Sequence, residues 1–345
     1  MAARRRRVRE RVRVSAIIPV APGSSPSRAV RSLAAAAGRE QVEIITVAGE
    51  QPSRQRNLAA QRARGRYLYF LDHDSRVPEG TLALLLAAIR RTGAAAAGGP
   101  NIGEPSGESI DEAAELALGS KIGSPLVFSR YHPEGGSARY ADEKSLILCN
   151  LLVRREVFLA MGGFDPRLYP NEENEFLNRL RGKGERAVYV PAATVAKRRK
   201  YSLLRFAYEN FRYGRGRMEQ IWTNIHGGDA VFLGALGALV ALAAAAIARP
   251  GALFCLVLYA GVVVFEGCRL AKRRIVLTGA AVAGMIFLRH AAYGFGLAWG
   301  VVSGWRARSV RIYPLRARIG RLVACRGRAR AMAPDCPVRE IEVSA

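Results

Sequence analysis

At 345 residues the chain can hold one sizeable soluble domain with something smaller attached. A formal charge of +25, carried mostly by arginine, excludes an ordinary near-neutral surface and calls for an anionic partner. No zinc-ligand spacing, RNA-binding signature or basic heptad accompanies that charge, which argues against nucleic acid.

Hydrophobic residues make up 50% of the chain but are unevenly spread. Charge dominates before about residue 220 and after about 305, and the interval between is strongly apolar. Basic surplus beside apolar segments suits a cytoplasmic membrane face, where anionic lipids attract Lys and Arg. The five cysteines are scattered, without a CxxC pair, so nothing suggests an oxidising compartment. Cys255 and Cys268 lie in apolar stretches and are expected to be small packing residues.

Residues 1–13 are a basic arm with no apolar core behind it, unlike a secretory signal. The β-branched run 14–20 reads as a first strand, 28–38 as a helix closed by glycine, and 42–47 as a second strand. A helix over 53–64 carries Arg56 and Asn57. Then comes Tyr67-Leu68-Tyr69-Phe70-Leu71-Asp72-His73-Asp74, an apolar run that ends abruptly in two carboxylates. Such a run reads as a strand buried on both faces of a parallel sheet, and chemistry in such sheets gathers at the strands' carboxyl ends. Asp72 and Asp74 share one side of an extended chain and together can hold a divalent cation with its phosphates. Strand and helix alternate with short links, which predicts a doubly wound parallel sheet.

A helix over 78–89 and a short element over 94–100 follow. The stretch 101–144 is Gly-, Ser- and Glu-rich with weak periodicity, as binding loops often are. After an apolar segment at 145–153, Met161-Gly162-Gly163-Phe164-Asp165 leads to Asn171-Glu172-Glu173-Asn174-Glu175, where acids suit a helix N-terminus. Residues 187–190 read as the last strand.

The basic, aromatic segment 197–228 suits a bilayer interface. Apolar stretches at about 230–248 and 251–268 approach the ~20 residues a membrane helix needs. A third, 275–304, is interrupted by Arg289 and His290. If it spans, the basic tail 305–345 lies outside, against the positive-inside rule; a re-entrant or interfacial pair of short helices keeps the tail inside.

In their order, Ser15-Ala16-Ile17-Ile18-Pro19, Arg56-Asn57, the Asp72-His73-Asp74 strand, the Gly162-Gly163 turn and the acidic helix start resemble a family 2 glycosyltransferase. The segments around 171–175 and 212–216 are similar to the membrane-anchored, succinoglycan-type subgroup. The resemblance covers 14–304 and implies an α/β GT-A fold, a Rossmann-like nucleotide-binding sheet over 14–196, followed by C-terminal transmembrane helices over 229–304. It implies an inverting transfer from a nucleotide-sugar donor to a lipid-linked or cell-surface polysaccharide acceptor, beside membrane lipids on the inner face of a bacterial cytoplasmic membrane.

By position, the resemblance gives Asp72 the ribose side and Asp74, with Asp72, a Mg²⁺ or Mn²⁺ ion. Pro19, Glu50, Arg56, Asn57 and His73 fall at the nucleotide-sugar side. Glu173 matches the base, with Glu172 beside it. Glu stands there where the family uses Asp, an extra methylene in a site where ~1 Å matters. Glu209, Arg212 and Tyr213 fall where the family holds acceptor or diphosphate, with Glu for Gln and Tyr for Trp. The second strand runs Val47-Ala48-Gly49-Glu50, with only Glu50 to replace the usual acids at the nucleobase. Two other readings are an inactive adaptor of the same fold and a sugar nucleotidyltransferase. The intact acids argue against the first, and the missing glycine-rich, lysine-bearing N-terminal loop against the second.

Overall fold

The computed structural model describes residues 12–234 except 39 and 108, then 237, 241, 251, 253–271, 277–307, 316–324 and 341–344. The first eleven residues of the basic arm and most of the expected 230–248 helix lie outside these.

Strands β1 (Val14–Val20), β2 (Val42–Ala48) and β3 (Tyr67–Phe70) pair in parallel with β1 central. Every residue of β1 and β3 is buried, as expected for strands covered on both faces. Helices α1 (Ser27–Ala36) and α2 (Pro52–Arg62) connect them, α2 beginning with proline at its first turn, where no N–H is needed. Helix α3 (Thr81–Thr92) stops at Gly93, whose φ of +67° takes the left-handed conformation that glycine adopts freely.

Beyond β3 the sheet departs from the all-parallel expectation. After β4 (Ser75–Arg76), β5 (Ala96–Gly98), β6 (Asn101–Gly103) and β7 (Arg139–Ala141), strand β8 (Leu151–Arg154) runs antiparallel to both β3 and β5. β9 (Ala187–Tyr189) is parallel to β5, and β7 is antiparallel to β9. β9 is not the last strand: β10 (Val195–Lys197) joins β4 and β6 in a small second sheet. Within the poorly periodic 101–144 stretch, α4 (Ser109–Leu118) is a well-formed helix. Helices α5 (Arg155–Ala160) and α6 (Glu172–Gly182) close the domain.

Helix α7 (Leu203–Thr223) follows, then α8 (Leu253–Ala271) and α9 (Leu277–Ala307). The third apolar stretch is thus one helix of 31 residues, not two short ones. α7 and α9 run side by side in the same direction, with Phe211 opposite Gly296, Met218 opposite Gly300 and Trp222 opposite Gly304. A methyl group on Gly296 would lie 2.1 Å from the Phe211 carbonyl oxygen, so only glycine permits this approach. The first half of α9 packs on α4 through Val282, Ala283 and Ile286. Mid-helix Arg289 is buried and donates to the Gly123 carbonyl at 2.8 Å. Cys255 and Cys268 are exposed, not packing residues, because α8 is covered by its own protein along only part of its surface.

The basic tail returns to the large sheet. β11 (Arg316–Ala324) pairs antiparallel with β2, and β12 (Ile341–Ser344) with β11. Among the described residues the large sheet has the order β12-β11-β2-β1-β3-β8-β5-β9-β7.

Candidate active site

Four aromatic rings fix the two acidic segments relative to each other. Phe70 ends β3 two residues before Asp72, and Phe176 stands on α6 three residues after Glu173. Phe158 and Phe164 fill the space between them. Ring centroids lie 5.1 Å (Phe70–Phe158), 5.0 Å (Phe70–Phe164), 5.2 Å (Phe158–Phe176) and 5.4 Å (Phe164–Phe176) apart. Such pairs contribute ~0.5–1.5 kcal/mol each beyond their burial, so the strand end and the helix start behave as one unit.

The glycine turn before α6 is clamped from two sides. Asn57 accepts from the Phe164 N–H at 2.9 Å and donates to the Phe164 carbonyl at 2.8 Å, so both ends of its amide hold backbone. Arg179, paired with Glu175 at 2.8 Å, donates to the Gly163 carbonyl at 2.8 Å. Asn171, at φ 93°, opens α6, and its side chain accepts from Asn174 at 2.6 Å.

Arg56 joins the acidic sets. Its guanidinium donates to Glu172 Oε1 at 2.9 Å and to Asp72 Oδ1 at 3.2 Å while remaining 4% exposed. Glu172 is 1% exposed, and burial pushes its carboxyl up to about 7; the Arg56 charge opposes the shift and the Glu173 charge adds to it. Glu173, 8% exposed, meets Arg130 at the longer distance of 3.5 Å. Arg130 also donates to the Lys144 carbonyl at 3.0 Å and to Asn174.

Asp72 and Asp74 converge, as the spacing predicts, on a cationic point. The Lys197 ammonium lies 3.2 Å from Asp72 Oδ2 and 3.0 Å from Asp74 Oδ1. Burial works to raise the Asp72 carboxyl, but Lys197 and Arg56 outweigh it and hold it below the usual range, so Asp72 stays ionised. Two carboxylates meeting at one point suit a hard divalent ion that takes its other ligands from phosphate and water. Among the described residues no third His, Cys, Asp or Glu joins them. Behind the pair, burial and the Asp72 charge push the Cys149 thiol up to about 12, which makes it unreactive. Asn150 ties the sheet here, accepting from Tyr69 Oη at 2.8 Å and donating to the Ala193 carbonyl at 2.7 Å.

Of the other residues expected at the site, Pro19 is buried within β1, Glu50 is exposed just past β2 and His73 is half-buried between the two aspartates. Arg212 stacks over Tyr169 at 5.2 Å, beside the start of α6, and over Tyr208 at 5.8 Å. The Tyr213 carbonyl accepts from Asn171 at 3.3 Å, which brings α7 against the acidic helix. Glu209 pairs one helical turn back with Arg205 at 3.0 Å. Sequence reasoning missed Lys197, Arg130 and Asn150. Lys197 was hidden in the run Lys197-Arg198-Arg199-Lys200, and Arg130 in the stretch without periodicity.

Residues 17–162 match the family model described as glycosyl transferase family 2. No curated protein matches the sequence. Among solved structures, the mannosyltransferase PcManGT from Pyrobaculum calidifontis, in complex with GDP-Man and Mn²⁺, superposes with a TM-score of 0.54 at 16% identity, over 84% of this chain and 88% of that one. GalNAc-T7 with UDP, GalNAc and Mn²⁺ reaches 0.37 at 15% identity, over 60% and 48%; so low a score carries no weight here. A seven-strand mixed core from β2 to β7, with its acids at the end of β3, the superposition on PcManGT and the match over 17–162 mark a glycosyl transferase family 2 domain on a GT-A fold within residues 17–162.

Proposed function

We propose that the chain transfers a sugar, with inversion, from a nucleotide-sugar to a lipid-linked or polysaccharide acceptor at a membrane face. The observation that carries this reading is the convergence of Asp72 and Asp74 with Glu172 and Glu173 through Arg56, at the carboxyl end of the central strands.

Asp72 and Asp74 would hold a Mg²⁺ or Mn²⁺ ion, which supplies positive charge to the leaving diphosphate. PcManGT is in complex with GDP-Man and Mn²⁺, in keeping with a divalent ion here. Asp72, fixed by Arg56, faces the ribose side, with Pro19, Glu50 and His73 around the nucleoside, while Asn57, whose amide is taken up by the Phe164 backbone, serves by holding the glycine turn.

Glu173 is the base. It is the less buried of the two glutamates and its arginine is the more distant, so its oxygen is freer to take a proton. The acceptor oxygen attacks the anomeric carbon and gives its proton to Glu173. The anomeric carbon–oxygen bond to the diphosphate breaks, the electron pair leaves with the phosphate, and a single displacement inverts the centre. Arg130 orients Glu173, while Glu172, bound to Arg56, keeps α6 and Asp72 in register. Arg212, Tyr213 and Glu209 line the approach of the acceptor from α7.

The membrane contact runs through α7, α8 and α9. Leu204 on α7 is 83% exposed, in a helix carrying four arginines, Arg205, Arg212, Arg215 and Arg217. The windows 254–271 and 279–304 have mean hydropathies of 1.8 and 1.3, and are 22% and 44% buried. α9 is therefore half covered by the protein's own α4 and α7, which favours a helix lying against the domain at the interface, with α8 crossing the bilayer. Because β11 lies in the same sheet as β2, the chain crosses an even number of times between 229 and 316. A purified preparation in nanodiscs, offered UDP-, GDP- and dTDP-sugars with Mn²⁺, is expected to release nucleoside diphosphate, and Asp74→Ala to lose that release. Absence of both nucleotide and Mn²⁺ binding would remove the reading.

A further inference from the structure

The metal-holding pair is already bridged by a cation of the chain's own. Lys197 Nζ stands at 3.2 Å from Asp72 and 3.0 Å from Asp74, on the short strand β10. It is held firmly. Both carboxylates reach its nitrogen within ion-pair distance, and only 23% of its side chain is exposed. The neighbouring cation is otherwise engaged, since Arg199 pairs with Glu115 at 2.6 Å.

A Mg²⁺ ion binding the same two oxygens would sit ~2.0–2.1 Å from each, and a Mn²⁺ ion would compete for the same place. An ammonium nitrogen at its present distances would then lie almost against the ion, and charge repulsion at such separation is large in any protein medium. The two cations exclude each other. Lysine's four-carbon stem lets the ammonium move several ångströms without moving its strand, and an arriving diphosphate gives it a new anion to pair with.

We propose that Lys197 is a built-in competitor for the divalent cation, neutralising Asp72 and Asp74 in the free enzyme and moving onto the donor's diphosphate when metal and nucleotide bind together. The proposal rests on the donor-site reading above. Its consequence is ordered, cooperative loading: the metal alone must evict the ammonium from its two carboxylates into water, whereas metal with nucleotide offers it a phosphate. By reciprocity, metal and nucleotide each raise the other's affinity by one common factor.

The test is Mn²⁺ binding, followed by electron paramagnetic resonance, to the full chain in nanodiscs without nucleotide and with UDP, GDP or dTDP. In wild type, the cognate nucleoside diphosphate is expected to raise Mn²⁺ affinity by about tenfold or more. Lys197→Met, and Lys197→Gln as a second neutral side chain that keeps hydrogen bonding, are expected to bind nucleotide-free Mn²⁺ about tenfold more tightly than wild type, with most of the cooperativity gone. Wild type whose Mn²⁺ affinity ignores nucleotide overturns the proposal without any variant. So do folded variants that bind nucleotide-free Mn²⁺ no better than wild type, and in that case intact Mn²⁺-dependent nucleotide binding leaves the transferase reading standing. Failure of every protein to bind Mn²⁺ with any of the three nucleotides overturns both.

Discussion

Removing the guanidinium of Arg56 tests how the two acidic sets are held together. Arg56→Met keeps most of the apolar stem and deletes two charge-assisted hydrogen bonds, to Glu172 at 2.9 Å and Asp72 at 3.2 Å. Asp72 can turn to water and keeps Lys197. Glu172 cannot, because it is 1% exposed and loses its cation. Breaking a buried ion pair by deleting one partner costs about 3–5 kcal/mol. In a domain of this size each kcal/mol lowers the melting temperature by roughly 2–4 °C, so the fall should be roughly 6–20 °C at pH 8. The pH dependence has a definite sign. The folded carboxyl is already raised to about 7 against a usual value near 4.5, so its contribution is present below about pH 4.5 and is lost as pH rises through about 7. Without Arg56 the carboxyl rises further, Glu172 stays protonated at pH 5.5, and the deficit there should be much smaller than at pH 8. Thermal unfolding of wild type, Arg56→Met and Arg56→Met/Glu172→Gln at the two pH values measures this. The double variant, with no stranded carboxylate, should recover more than half of the pH 8 deficit. A single-variant fall below about 2 °C, or one equal at both pH values, would refute the reasoning.

The α7–α9 contact makes a second prediction. Gly296→Ala places a methyl group 2.1 Å from the Phe211 carbonyl oxygen and should cost about 1–3 kcal/mol, seen as easier proteolysis between α7 and α9, whereas Gly284→Ala, with nothing within 4 Å, should be silent. Chain topology makes a third. With β11 and β2 in one sheet, cysteines introduced at Ser344 and at Thr46 should both be accessible from the catalytic side and neither from the other; opposite sidedness would contradict an even number of crossings.

The parts of this architecture written in local pattern were legible in the sequence. β3 announced itself as an aromatic run ending in Asp72 and Asp74, and Glu172 and Glu173 as acids at a helix start, because burial and the helix dipole act on neighbouring residues. Alternation of strand and helix pointed to an α/β sheet, but the rule that makes consecutive strands parallel assumes a helical crossover. From β3 the chain does cross over, through α3 to β5 in the same direction; it is only after the poorly periodic stretch 101–144 that β8 enters the sheet reversed, between β3 and β5. Lys197 and Arg130 could not be found locally at all. Their partners are 125 and 43 residues away, and only the fold makes those pairs. The tail is the instructive miss. Arg316-Ala317-Arg318-Ile319 alternates charged and apolar residues as a half-buried strand does, but within so basic a segment the arginines read as charge beside the membrane. Arg289 was read as an obstacle to a membrane span, whereas it donates to Gly123 and Asn210 and fastens α9 to the catalytic domain.

The most direct test of the account is to separate donor binding from turnover in Glu173→Gln. Amide for carboxylate keeps the shape of the side chain and removes its ability to accept a proton, while Asp72, Asp74 and Arg56 remain in place. Nucleotide-sugar affinity measured by calorimetry should stay within about threefold of wild type, and transfer of labelled sugar into lipid-extractable product should fall by about 10²–10⁴. Transfer at near wild-type rate would contradict the assignment of Glu173 as base, and with it the mechanism drawn from this site.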